Sequence, residues 1–191
     1  MAIRHEHWIS PEEYLELERT SVDVKYEYVD GRIYAMSGGS TSHSLIAMNI
    51  STLLREHLRG SPCRTYNSDM KFKPSEKVSY YPDVTVSCDS KDTQAVKHEL
   101  YYPRLIVEVL SPSTEMRDRT EKLAQYQKYP TIEEYVLVSQ ENQAVEIYTR
   151  NGKKWVYQRF GLGEEIELTS IDFHCPIEAF YEDVPWSTES E

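Results

Sequence analysis

Three side chains in this sequence have the types and the spacing to do chemistry together: Asp83, Glu108 and Lys122. Asp83 follows Pro82 and opens the β-branched run Val84-Thr85-Val86. Glu108 interrupts the apolar run Leu105-Ile106-Val107-Glu108-Val109-Leu110. A buried strand normally carries an apolar residue at such a position, and a lone carboxylate there is costly unless it is paired, metal-bound or neutralised. Two carboxylates held on strands suit magnesium, a hard cation that takes oxygen ligands and usually keeps several waters. Such an ion activates water and offsets charge on phosphoryl oxygens. An ammonium nearby, from Lys122, would orient the water or stabilise the transition state. The pattern therefore permits metal-assisted hydrolysis of a phosphodiester. Each residue also has a plainer reading. Asp83 is a strand-end turn acid, Glu108 a buried structural acid with its own partners, and Lys122 a solvated lysine paired with Asp118 or Glu121.

These residues need particular elements to bring them together. Tyr81-Pro82 suits the start of a strand, where proline is accepted, with Val84, Val86 and Cys88 as its buried set. Residues 105–110 form the most apolar strand in the chain, and Ser111-Pro112-Ser113 ends it. Asp118 with Glu121 three residues later is a capping-box pattern. The helix it predicts carries Leu123, Tyr126 and Tyr129 and stops before Pro130. Asp118, Lys122 and Tyr126 are spaced by four and share a face of that helix. Residues 134–138 are another apolar strand, so the succession reads as a β–helix–β crossover, right-handed if its strands are parallel.

Upstream, Ser10-Pro11-Glu12-Glu13 predicts a capped helix. Residues 25–29 and 32–36 flank Asp30-Gly31 and predict a tight hairpin, with Glu27 on the opposite face from Tyr26 and Tyr28. After the loop at residues 38–42, Leu45, Ile46, Ile50, Leu53, Leu54 and Leu58 recur at helical spacing up to Gly60. His43 falls near the first turn of that helix. Residues 64–73 predict a half-exposed strand with Asp69, Lys71 and Lys73 facing out, followed by a turn at residues 74–77. Residues 89–102 read as a polar connection with a short helix around 93–100. Residues 145–149 and 154–158 flank Arg150-Asn151-Gly152-Lys153, a second hairpin carrying an Asn-Gly signal. A strand at 166–168 and a helix at 176–181 close the domain, and residues 182–191 form an acidic tail expected to be mobile. No repeat and no second domain is visible, so one domain is expected over residues 1–181.

Bulk properties narrow the class. The chain has 191 residues, enough for a substantial core. No run of about 18 apolar residues is present, and residues 1–7 lack a signal-peptide core. Cys63, Cys88 and Cys175 are an odd, widely spaced set without zinc or redox spacing, which predicts buried reduced thiols in a cytoplasmic protein. The net charge of −11 argues against a nucleic-acid partner. Its distribution softens that objection. Residues 164–191 hold nine acids and no Lys or Arg, which leaves −2 for the rest. Between Arg55 and Lys77 six basic residues face three acids, a stretch that could meet a polyanion or simply be solvated surface.

One family shares this combination of motifs. Tyr26-Glu27 with Asp30-Gly31, the loop from Gly38 to His43, Ser68-Asp69-Met70, Tyr81-Pro82-Asp83-Val84, the run from Val107 to Thr114, and Asp118 to Lys122 followed by Tyr126 resemble the Uma-type family of "putative restriction endonucleases" over roughly residues 8–180. The resemblance implies an α/β restriction-endonuclease-like fold, a mixed central sheet flanked by helices, with a Pro-Asp…(Asp/Glu)-x-Lys site. It implies Asp83 and Glu108 as metal carboxylates, the carbonyl of Val109 as a further ligand, and Glu27 as another acid at the site. The lysine of the usual Glu-x-Lys pattern would fall at position 110, which is Leu110, so Lys122 from the following helix takes its place. The function implied is a magnesium-dependent (or manganese-dependent) endonuclease acting on DNA, with a homodimer suited to cutting both strands. Two alternatives stand beside it: an inactive nucleic-acid-binding or interaction module on the same fold, and a phosphodiesterase acting on RNA or nucleotides.

Overall fold

A computed structural model describes residues 8–36, 38–94 and 98–186. The N-terminal residues 1–7 and the end of the acidic tail, 187–191, lie outside the described residues. Helix α1 (Pro11–Thr20) begins with the expected capping box: the Glu13 N–H donates to Ser10 Oγ at 3.2 Å and the Ser10 N–H to Glu13 Oε2 at 2.6 Å. Strands β1 (Tyr26–Val29) and β2 (Arg32–Ala35) form the first hairpin. Asp30 and Gly31 both adopt positive φ, 45° and 88°, as a two-residue turn of matching twist requires. Ser40 caps α2 (Thr41–His57) by accepting the His43 N–H at 3.0 Å. Ile46, Ile50 and Leu54 form its buried stripe.

The remaining elements are β3 (Arg64–Asn67), β4 (Lys71–Ser75), β5 (Val78–Tyr80), β6 (Val84–Ser87), α3 (Ser90–Thr93), β7 (Glu99–Leu100), β8 (Pro103–Leu110), α4 (Glu115–Arg117), a π turn (Asp118–Lys122), α5 (Leu123–Tyr126), β9 (Glu134–Ser139), β10 (Ala144–Asn151), β11 (Lys154–Gly161), β12 (Glu165–Leu168), a 3-10 turn (Thr169–Ile171), β13 (Phe173–Pro176) and a 3-10 helix (Ile177–Tyr181). The expected central sheet is a six-stranded mixed sheet in the order β11-β10-β9-β8-β6-β3. In it β8 runs antiparallel to β6 and parallel to β9, so the crossover from β8 through α4, the π turn and α5 to β9 joins parallel neighbours. A second, five-stranded sheet (β2-β1-β5-β4-β7) carries the N-terminal hairpin, and β12 and β13 pair as a ribbon.

Strand β8 divides two cores by simple alternation. Leu105, Val107 and Val109 pack with α2 and the C-terminal segment. Ile106 and Leu110 point the other way, into a cluster with Phe72, Tyr80, Tyr126 and Tyr135. Glu108 lies between Ile106 and Leu110 in this alternation, on the side of the aromatic cluster and the second sheet.

Several expectations are corrected. Residues 64–73 are two strands broken by a turn, and Lys71 and Lys73 are buried rather than half-exposed. Lys71 pairs with Glu18, and the Lys73 ammonium lies 3.2 Å from Glu76 and 3.8 Å from Glu99. These ion pairs remove two of the cations from the stretch that could have met a polyanion. The short helix expected around residues 93–100 is found earlier, as α3, and Glu99–Leu100 is a strand. Asp118 does not start a helix. The Ser111 carbonyl accepts the Thr114 and Glu115 N–H groups at 3.0 and 2.9 Å, so helical turns begin one turn earlier and Asp118 falls inside them. The second hairpin turns on Gly152 (φ 61°) and Lys153, one residue later than the Asn-Gly signal implied, with Asn151 and Lys154 paired. Cys63 and Cys88 form a disulfide, against the expected reduced thiols. They flank the ends of β3 and β6, and the Arg64–Ser87 pairing sets them opposite each other. Cys175 is the buried free thiol. The first residues of the presumed tail are packed: Val184 is buried and the Glu182 carbonyl accepts from Asn49 Nδ2 at 2.8 Å.

Candidate active site

The antiparallel pairing of Val84 with Val107 places Asp83, one residue before β6, beside Glu108 and Val109 on β8. Asp83 Oδ2 accepts the Val109 N–H at 2.7 Å and lies 3.2 Å from His43 Nε2. Among the described residues, nothing hydrogen-bonds to its Oδ1. Glu108 Oε1 accepts from both Lys122 Nζ and Tyr126 Oη, each at 3.0 Å. Among the described residues its Oε2 is likewise untied.

Lys122 is 5% exposed and its ammonium is ringed by carboxylates. Glu27 Oε1 is 3.1 Å away and Asp118 Oδ1 3.2 Å, besides Glu108. The Asp118 contact has ion-pair distance without hydrogen-bond alignment, and among the described residues Oδ1 has no hydrogen-bond partner. Burial alone would lower the lysine's pKa. Glu108, Glu27 and Asp118 outweigh burial and hold it well above the usual range, so Lys122 is a standing cation and not a base.

Glu27 comes from β1, on the other sheet, and is 3% exposed. Both of its oxygens are occupied. Oε1 accepts the Tyr81 N–H at 3.2 Å and faces Lys122, while Oε2 pairs with Arg117. Burial would raise its pKa, but Lys122 and Arg117 prevail and keep the carboxyl below its usual range. Arg117 also donates from Nε to Glu121 Oε1 at 2.9 Å and stacks 3.5 Å from the centre of the Tyr34 ring.

Glu108 behaves oppositely. Burial, then Asp118, Asp83 and Glu27, push its pKa well above the usual carboxylate range against the pull of Lys122. The four buried or part-buried acids Glu27, Asp83, Glu108 and Asp118 meet two permanent cations, Lys122 and Arg117. The site is thus short of positive charge. His43 adds a partial answer: burial would lower its pKa, but Asp83, Asp118 and the Val109 backbone raise it above the ordinary value. Glu134, by contrast, is a buried acid with every need met, accepting from the backbone and hydroxyls of Thr169 and Ser170.

Glu27, His43, Asp83, Glu108, Arg117, Asp118 and Lys122 line one cavity of about 460 Å³, open between β2, the Gly38–Gly39 loop and the turn after β8. Asp83, Glu108, Val109, Lys122 and Glu27, the residues singled out in the sequence, converge there. Arg117 and the orphaned Asp118 join them without having been expected as site residues. The four-residue spacing of Asp118, Lys122 and Tyr126 was the available signal for Asp118; Arg117 had none. Among the described residues no three His, Cys, Asp or Glu side chains form a closed metal cage. The donor set still fits a hard divalent ion, which commonly takes only one or two carboxylates and waters. Oxygen donors, two untied carboxylate oxygens and an uncompensated negative charge are what such an ion meets.

Comparisons with known proteins give the family and the fold. The family model described as "Uma2: Putative restriction endonuclease" matches residues 11–178. The Synechocystis sp. protein slr1290, named only as uncharacterized, is 40% identical over 175 residues, 91% of each chain. A second Synechocystis sp. protein of that kind, sll1609, is 33% identical over 159 residues, 82% of this chain and 89% of that one. The crystal structure described as a "putative nuclease belonging to DUF820", from Anabaena variabilis, aligns with a TM-score of 0.75 over 91% of this chain and 97% of that one. Its 19% identity makes this a likeness of fold.

Proposed function

We propose the following on the premise that this chain belongs to the Uma2 family of "putative restriction endonucleases" and has the restriction-endonuclease-like fold: it is a magnesium-dependent endonuclease that hydrolyses DNA phosphodiester bonds. The observation that carries the reading is the convergence of Asp83, Glu108 and Lys122 on one cavity, with Lys122 Nζ 3.0 Å from Glu108 Oε1 and one oxygen of each acid left untied.

Asp83 and Glu108 are the residues that would hold the ion, and the carbonyl of Val109 would be a third oxygen. When bound, a hard divalent ion supplies a water of lowered pKa and offsets charge on the phosphoryl oxygens. Lys122, permanently charged, lowers the energy of the negative charge that builds as water attacks phosphorus and the ester oxygen leaves. Glu27 serves by position: with both oxygens occupied, it anchors Lys122 and Arg117. Manganese is the natural substitute ion, and a two-fold dimer would present two such sites to a duplex.

Calorimetric titration with Mg2+ and Mn2+ tests the reading. The wild-type protein binds, and Asp83→Ala and Glu108→Ala lose binding. A wild type that binds neither ion refutes the mechanism. An assay on duplex DNA, single-stranded DNA and RNA, with Lys122→Ala as the control, then assigns the substrate.

A further inference from the structure

We propose that Tyr126 is a positioning residue that fixes the rotation of the Glu108 carboxylate, so that Oε2 is presented to the cavity while Oε1 is held back. The inference rests on the metal-site reading above and adds to it a residue outside the Asp83–Glu108–Lys122 set.

A glutamate's terminal torsion is broad and about two-fold, so a bare Glu108 would turn its oxygens freely. Two donors on the same oxygen remove that freedom. Tyr126 Oη and Lys122 Nζ both reach Oε1 at 3.0 Å. They sit four residues apart where the π turn runs into α5, and single π turns recur at functional sites in helices. Lys122 alone is a poor pin, since its ammonium is shared with Glu27 and Asp118. The phenol is a better one. Its ring is fully buried and held edge-on by Tyr80 and Tyr135, with centroids 5.2 and 4.9 Å away. Its hydroxyl donates to Glu108 Oε1.

The plainer view is that Tyr126 merely finds a partner for a buried hydroxyl. Its neighbour argues otherwise. Tyr80, equally buried in the same aromatic cluster, leaves its hydroxyl without a partner among the described residues. The cluster does not satisfy hydroxyls as a matter of course: of its three buried tyrosines, Tyr135 donates to the Asp118 carbonyl at 3.1 Å, Tyr80 meets no such partner, and Tyr126 alone donates to the acid of the site. Groups that orient metal ligands in this way typically change metal affinity about 10–100-fold when removed.

Tyr126→Phe and Tyr80→Phe form a matched pair, each deleting one oxygen from the same cluster. Mn2+ affinity is measured by calorimetry on both, with wild type and Glu108→Gln alongside and thermal melts to verify folding. The expected result is a roughly 10–100-fold weaker Mn2+ affinity for Tyr126→Phe and a wild-type affinity for Tyr80→Phe. Unchanged affinity in Tyr126→Phe overturns the proposal, as does an equal loss in both variants, which would mark a general packing effect. A wild type that binds no Mn2+ overturns the metal-site reading itself, and the proposal with it.

Discussion

Lys122 Nζ and Glu108 Oε1 stand 3.0 Å apart, both buried, although one belongs to the helical crossover and the other to the strand before it. The pair spans 14 residues of sequence and is the contact on which the site turns. Its surroundings are unequal: three carboxylates within 3.2 Å share this one ammonium.

Removing the lysine therefore leaves buried negative charge without a counterion. Breaking a buried ion pair by deleting one partner typically costs about 3–5 kcal/mol. Lys122→Ala should lose stability on that scale in denaturant unfolding without metal. Added Mn2+ should restore part of it, because a cation binding only the folded state stabilises by mass action. An unfolding free energy of Lys122→Ala that does not change on adding Mn2+ would mean that no cation enters the space among these acids.

Glu27 and Glu108 are both buried acids at Lys122, yet they should respond differently to the same change. Glu27 has both oxygens occupied, by the Tyr81 N–H, Lys122 and Arg117. Glu27→Gln is expected to cost about 1.5–3 kcal/mol in urea unfolding, since Lys122 and Arg117 lose the carboxylate they share while Glu108, Asp118 and Glu121 still face them, and to change Mn2+ affinity little. Glu108→Gln should give the converse, a lost Mn2+ isotherm with a smaller stability change. If Glu27→Gln abolishes Mn2+ binding and leaves stability intact, the roles are exchanged.

The cysteines give a test independent of the site. With Cys63 and Cys88 joined, protein unfolded without reductant should titrate one thiol per chain with Ellman's reagent, and three after reduction. The native protein should react slowly even at Cys175, whose pKa burial pushes up to about 11, leaving on the order of a thousandth as thiolate at pH 8. Three fast-reacting thiols in unreduced protein would rule out the pairing.

Much of this molecule was legible in its sequence because the signals are local. The Ser10–Glu13 box, the Asp30-Gly31 turn and the Ile46-Ile50-Leu54 stripe depend on neighbours within a few residues, and each formed as expected. Glu108 announced itself by interrupting an apolar strand, since burial of a charge has a cost that must be met somewhere. Where the signal was long-range, the sequence was silent or misleading. Lys71 and Lys73 alternate like solvent-facing lysines, but Glu18, Glu76 and Glu99 close over them. Cys63 and Cys88 are 25 residues apart, and only the β3–β6 register brings them together. Likewise, a four-residue spacing put Asp118, Lys122 and Tyr126 on one face without saying which way it points. The parallel crossover turned that face onto β8, and the hairpin of the second sheet brought Glu27 to the same ammonium. Residue type and periodicity determined which groups this protein has to offer; which of them share one charge balance is set by the packing of distant strands, and only the tertiary structure decided it.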